Sequence, residues 1–90
     1  MEAVTFHLEE ETLGMTLKRR REALGLSLGE VSEKTRIGIS HLENIDREEF
    51  QKLPCLPYSR GFIRAYAACV GMDADAAAKQ FNAETGLENA

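Results

Sequence analysis

Within three residues of Leu24 this chain ends one helix and starts another. Leu13, Leu17 and Leu24, spaced by four and seven, mark one face of a helix over 13–24, and Gly25 supplies the residue on which helices commonly stop. Ser27 and Glu30 follow as a capping box: the serine hydroxyl accepts from the Glu30 amide while the carboxylate reaches back to the Ser27 amide. A second, short helix over 28–34 starts there, with Leu28 and Val31 as its buried stripe and Leu26 as a hydrophobic staple before the cap. Neither helix can bury its apolar side alone, so the two must fold against each other and against what comes next.

The third helix, over 38–45, places Ile39, Leu42 and Ile45 on one narrow face and leaves Ser40, His41, Glu43 and Asn44 outward. Phe50 and Leu53 predict a further short turn of helix, and Pro54 and Pro57 make a rigid connector. The longest helix opens at Pro57 or Tyr58 and runs to about Val70, stopped by Gly71. It has two apolar stripes, Ile63, Tyr66, Ala67 and Val70 on one side and Tyr58, Phe62, Ala65 and Cys69 on the other. Asp73 caps a last helix to about Ala83, in which Ala77 and Phe81 pack back on the rest. The predicted fold class is all-α: a compact five-helix bundle with a repressor-like helix-turn-helix. Residues 1–11 read as a flexible acidic arm, 12–84 as the folded domain and 85–90 as a frayed tail or the start of a linker.

Ninety residues support one small core with little slack for truncation. The net charge of −4 argues against general nucleic-acid affinity, and a net basic balance is confined to two segments, one carrying Lys18–Arg21 and the other Arg60 and Arg64. The acidic arm screens the first of these patches. Lys18–Arg21 has the ordinary reading of a solvated helix face; phosphate contact and attraction to an anionic membrane surface are sharper alternatives between which the pattern does not choose. Cys55 and Cys69 read as reduced thiols, since two cysteines make no disulfide framework and His7 and His41 lie outside metal-ligand spacing from them. No run is long enough to span a membrane. With no P-loop, dinucleotide fingerprint, paired carboxylates or metal cluster, the expectation is a non-enzymatic chain with no catalytic residue, cofactor, metal or small-molecule substrate.

A helix-turn-helix usually reads DNA through its third helix, which meets a dense line of phosphates. Here that helix carries Glu43 and Asp46 and no Lys or Arg between Gly38 and Asp46. Two carboxylates oppose docking on a duplex. The alternative of a sequence-specific DNA-binding regulator would use Ser40, His41 and Asn44 at base edges and Arg36 and Arg47 on phosphates.

The run LGMTLKRRREALGLSLGEVSEKTRIGISHLENID resembles the helix-turn-helix of phage repressors and related regulators. The continuation EEFQKLPCLPYSRGFIRAYAACVGMD is more specific: its LP step, the Y-x-R-G-F-I-R-A-Y-A block and the closing G-M-D resemble the N-terminal cytoplasmic domain of the RodZ family of bacterial cell-shape proteins. That resemblance covers about Leu13 to Phe81. It implies an adaptor domain that binds the actin-like protein MreB in the cell-elongation machinery, on the cytoplasmic side of an inner membrane to which a span outside these ninety residues anchors it. It also implies a longer protein or a stand-alone homologue. The family's actin-binding aromatic pair falls on Tyr58 and Phe62, and its basic positions on Arg60 and Arg64.

From pattern alone, aromatic residues at helical spacing are more often core than interface. The Ile63 stripe already supplies a core face, and with the resemblance Tyr58 and Phe62 read as an interface. Self-association through the same face is a third reading. Gly61, inside the helix, suggests close approach by the first or third helix, and Tyr66 reads as a core aromatic with its hydroxyl at the rim.

Overall fold

The computed structural model describes residues 11–86. It contains α1 (Leu13–Ala23), α2 (Leu28–Thr35), α3 (Ile39–Asp46), a 3-10 turn (Phe50–Lys52), α4 (Leu56–Cys69) and α5 (Ala74–Thr85), and no strand among the described residues. The expected all-α bundle of five helices is therefore present. Met1–Glu10 of the predicted arm and the tail beyond Gly86 lie outside the described residues. Glu11 is described: its carboxylate accepts from Arg19 Nε and Nη2 at 2.8 and 2.9 Å.

The local signals act as the residues predict. Ser27 and Glu30 make both capping-box bonds, at 3.0 and 2.8 Å. Gly25 has φ 71°, and Asp73 accepts from the Ala76 amide at 3.0 Å at the start of α5. Leu13, Leu17, Val31, Leu42, Ile45, Ile63, Tyr66, Ala67, Ala77 and Phe81 form the centre of one core, with Phe50 edge-on to Phe81 at 5.2 Å.

Three packing details differ from the expectations. Ile39, assigned to the buried face of α3, is 46% exposed, while Ile37 in the preceding turn is buried. At about 100° per residue Ile39 lies roughly 60° from Leu42 and 120° from Ile45, so it sits at the edge of their face. Arg21 does not face water with the rest of Lys18–Glu22: it is 8% exposed, and its Nη2 contacts Asp46 Oδ2 at 2.9 Å. Its Nε donates to Tyr66 Oη at 3.0 Å and its Nη1 to the Leu26 carbonyl at 3.1 Å. The Tyr66 hydroxyl is not at the rim but inside this network, donating to Asp46 Oδ1 at 2.7 Å. A buried guanidinium is tolerable because each of its three nitrogens has found an acceptor.

Electrostatics follow from that arrangement. Burial, the largest influence on Arg21, opposes its charge, but the Tyr66 hydroxyl and the Asp46 carboxylate outweigh it and raise its pKa. Burial, reinforced by the bond to Asp46, holds the Tyr66 phenol well above its ordinary value. The triad joins α1, α3 and α4 and so fixes the helix-turn-helix against the long helix.

The start of α1 is held by distant carboxylates. Glu84 accepts from the Leu13 amide at 2.8 Å and Glu48 from the Gly14 amide at 2.9 Å, which satisfies two free amides at the positive end of the helix. A methyl group on Gly14 would lie 2.5 Å from Glu48 Cγ and 2.7 Å from the Ile45 carbonyl oxygen. Only glycine allows α1 to pass this close to the end of α3.

Candidate partner-docking face

The face forms on α4 because the sequence starts that helix abruptly and patterns it twice. Pro57 occupies its first turn, where a missing N–H costs nothing, and the amides of Tyr58 and Ser59 donate to the Cys55 carbonyl at 3.0 Å. The Ser59 hydroxyl donates back to the Pro54 carbonyl, tying helix to connector. Ile63, Tyr66, Ala67 and Val70 are buried, as the first stripe requires. The second stripe is split by depth: Phe62, Ala65 and Cys69 are half-buried against the core, whereas Tyr58 is 63% exposed.

Tyr58 and Phe62 stand one turn apart on the same side of α4. Tyr58 projects into solvent; Phe62 lies with its ring 5.2 Å from that of His41 on α3, tilted by 33°. The half-buried phenyl is thereby held in place by the helix-turn-helix, with the free phenol beside it. Beyond Ala65 and Cys69 the face opens into a groove of about 650 Å3 between α4 and the α1–α2 turn, bounded by Leu24 and Leu26.

The two arginines lie on the other flank, toward α5. Arg60 is half-buried and its Nε donates to Asn82 Oδ1 at 3.0 Å. Arg64 Nη2 meets Asp75 Oδ1 at 2.7 Å in a pair whose side chains are 48% and 75% exposed. A surface pair of that kind holds its cation loosely, so the Arg64 guanidinium remains within reach of an incoming acidic group.

Gly61 corrects an expectation. No helix approaches it: a Cβ there would have no neighbour within 4 Å, and the residue is exposed. Its helical position points away from the core between Tyr58 and Arg64, so internal packing does not account for it. A glycine inside a helix costs about 1 kcal/mol relative to alanine. The close helix contact that a glycine does serve is at Gly14.

The residues of the DNA-reading alternative are only partly presented. Arg36, Ser40 and Arg47 are exposed and Asn44 is half-buried, but the His41 ring is engaged with Phe62. The expected pair of opposing carboxylates also fails: Glu43 is half-buried on α3, while Asp46 is turned inward to Arg21 and Tyr66. The surface is less acidic than its sequence. What the sequence pattern missed is that a lone arginine at a helical core register needs an acid, and Asp46 was the acid available.

Among the described residues no three His, Cys, Asp or Glu side chains gather where they could hold a metal ion. Cys55 is exposed, Cys69 is half-buried and both are free thiols. No described helix is long and apolar enough to cross a membrane.

A protein family described as a helix-turn-helix domain matches residues 16–77. The chain belongs to that family. It is also similar to the cytoskeleton protein RodZ of Streptococcus pneumoniae, with 36% identity over 66 residues, which are 73% of this chain and 24% of that protein. The chain thus spans about a quarter of that relative's length. Among solved structures it resembles YmfM, a proposed DNA-binding membrane protein from Staphylococcus aureus, at 39% identity and a TM-score of 0.75, covering 82% of this chain and 90% of that one. The resemblance to the RodZ family is met in the first of these relatives.

Proposed function

We propose that this domain is a non-enzymatic cytoskeletal adaptor of bacterial cell-shape control, and that it docks on the actin-like filament protein MreB through Tyr58 and Phe62 on α4. The observation that carries this reading is the split of α4: four apolar positions complete the core, and a 63%-exposed tyrosine beside a braced phenylalanine is left over. An aromatic anchor with an arginine at hand is the composition that dominates binding energy at interfaces. The similarity to a protein named for the cytoskeleton supports the choice of partner. Arg64, released from Asp75, meets acidic side chains at the edge of the contact, and Arg60 holds α4 to α5 behind it.

In this reading the domain is the cytoplasmic part of a longer membrane-anchored protein. Many anchored copies facing many filament subunits make a weak single contact sufficient. The test is co-sedimentation with MreB filaments. The wild-type domain pellets with them and Tyr58→Ala, with an unchanged circular dichroism spectrum, stays in the supernatant; equal pelleting of both removes the aromatic anchor from the mechanism.

A second reading, DNA binding through α3, is favoured by one observation, the inward turn of Asp46, and by the similarity to YmfM. It predicts a gel shift at low salt that weakens steeply as salt rises and is lost in an Arg36→Ala, Arg47→Ala double variant. No shift even at low salt closes it.

A further inference from the structure

We infer that Gly61 is the point at which the backbone of the docked partner comes closest to α4, so that this position sets how deeply Tyr58 and Phe62 engage. The inference deepens the proposed docking function and rests on it. Nothing within the fold asks for glycine here. The residue sits in the interior of α4, its backbone is ordinary helix with no positive φ, and no atom of the domain would touch an added methyl group. Four other glycines sit where the fold is tight or turns: Gly14 underlies the α1–α3 contact, and Gly25, Gly71 and Gly86 have positive φ; Gly38 is the N-cap of α3, a position glycine favours, and Gly29 stands in the first turn of α2. Gly61, in the middle of the longest helix and with open surroundings, weakens that helix and gains nothing from its own chain.

The site of that weakness is informative. Gly61 precedes Phe62 and follows Tyr58 by three residues, so its bare α-carbon lies beside the aromatic pair on the outward side of the helix, with Arg64 one turn on. At about 100° per residue Gly61 lies roughly 60° from each of Tyr58 and Arg64, so a partner that rests on the aromatic pair and reaches Arg64 passes over this spot. With hydrogen as the side chain, a partner helix or loop can lay its main chain on α4 and let the phenol and phenyl groups reach past it. A methyl group lifts the partner by roughly the width of one carbon, and contact with the half-buried Phe62 ring is the first to be lost, because that ring projects least.

The consequence is an opposition of sign that a structural role does not produce. Gly61→Ala removes a helix breaker in open space and raises the melting temperature by about 4–8 °C for a domain of this size. The same change weakens co-sedimentation with MreB filaments by at least tenfold. Gly61→Ser, of similar bulk but lower helix propensity, loses binding equally with a smaller thermal gain, which separates standoff from stiffening. Tyr58→Ala is run alongside. If both Gly61 variants bind as the wild type does while Tyr58→Ala fails, the docking reading stands and the inference is overturned. If Gly61→Ala lowers the melting temperature, the glycine serves the fold and the inference is again overturned. Wild-type protein that does not pellet, or Tyr58→Ala that pellets normally, defeats the docking reading and this inference with it.

Discussion

Replacing Asp46 with alanine tests whether the last residue of α3 is a surface charge or part of the scaffold. Its two oxygens accept from Arg21 at 2.9 Å and from Tyr66 at 2.7 Å, and the ion-paired side chains are each 10% exposed. Alanine leaves a guanidinium buried without its counter-charge and a phenol without its acceptor, and removing one member of such a pair costs about 3–5 kcal/mol. A ninety-residue chain has about 5–13 kcal/mol of stability in total, so the loss is a large share of it. In urea, followed by far-ultraviolet circular dichroism, a slope of about 1 kcal/mol/M moves the midpoint down by about 3–5 M or leaves the variant unfolded without denaturant. Asp46→Asn keeps an acceptor for Tyr66 and loses the charge, and falls in between at about 1.5–3 kcal/mol. Combining Arg21→Met, Asp46→Leu and Tyr66→Phe removes every buried polar member and recovers most of the loss. A midpoint within experimental error of wild type for Asp46→Ala refutes the buried triad and returns Asp46 to the outer surface of α3.

Other predictions follow from single contacts. Gly14→Ala forces Glu48 and the Ile45 carbonyl away from α1 and destabilises the domain by about 1–3 kcal/mol in the same urea assay; an unchanged midpoint contradicts the close contact. Tyr58→Ala, at an exposed position, leaves stability within about 0.5 kcal/mol, whereas Phe62→Ala, which strips the ring from His41 and the core edge, costs about 1–2 kcal/mol. Equal effects from the two refute their difference in depth. The hydrogen bond from Arg19 holds the Glu11 pKa below its ordinary 4.5. A depressed carboxylate contributes stability that is present above its unfolded pKa and lost as pH falls through the folded one. NMR titration therefore finds Glu11 below 4.5 in the wild type and back near 4.5 in Arg19→Ala, and no difference between them contradicts the pair.

The helix boundaries were legible because they are written in local chemistry. Ser27 and Glu30, Gly25, Pro57 and Asp73 act through atoms within a few residues of themselves, and each does in the structure what its type predicts. The two stripes of α4 were legible for the same reason, since 3.6 residues per turn sorts them without knowledge of neighbours. Contacts across the chain were not. The pattern groups Arg21 with its neighbours on a solvated face, and that it turns inward to Asp46 and Tyr66 depends on how α1, α3 and α4 cross. Glu48 and Glu84 cap a helix 34 and 71 residues away, a relation no local pattern records. The glycines show the same division: a helix glycine announces an unusual need, and only coordinates tell that Gly14 meets it inside the fold while Gly61 faces open space.

The candidate face inherits this division. Exposure of Tyr58 could be argued from a surplus apolar stripe, but the brace of His41 on Phe62 and the engagement of Arg60 with Asn82 arise from tertiary packing. They change the picture of the face from a ridge edged evenly by arginines to an aromatic side and a cationic side with Gly61 between them.

The docking face is tested most directly by amide NMR of the isotope-labelled domain titrated with MreB. Signals from Tyr58 to Ala65 shift or broaden first and together, while those of Arg36, Ser40 and Arg47 hold their positions. Perturbation centred on α3, or none at a saturating excess of MreB, contradicts docking through α4.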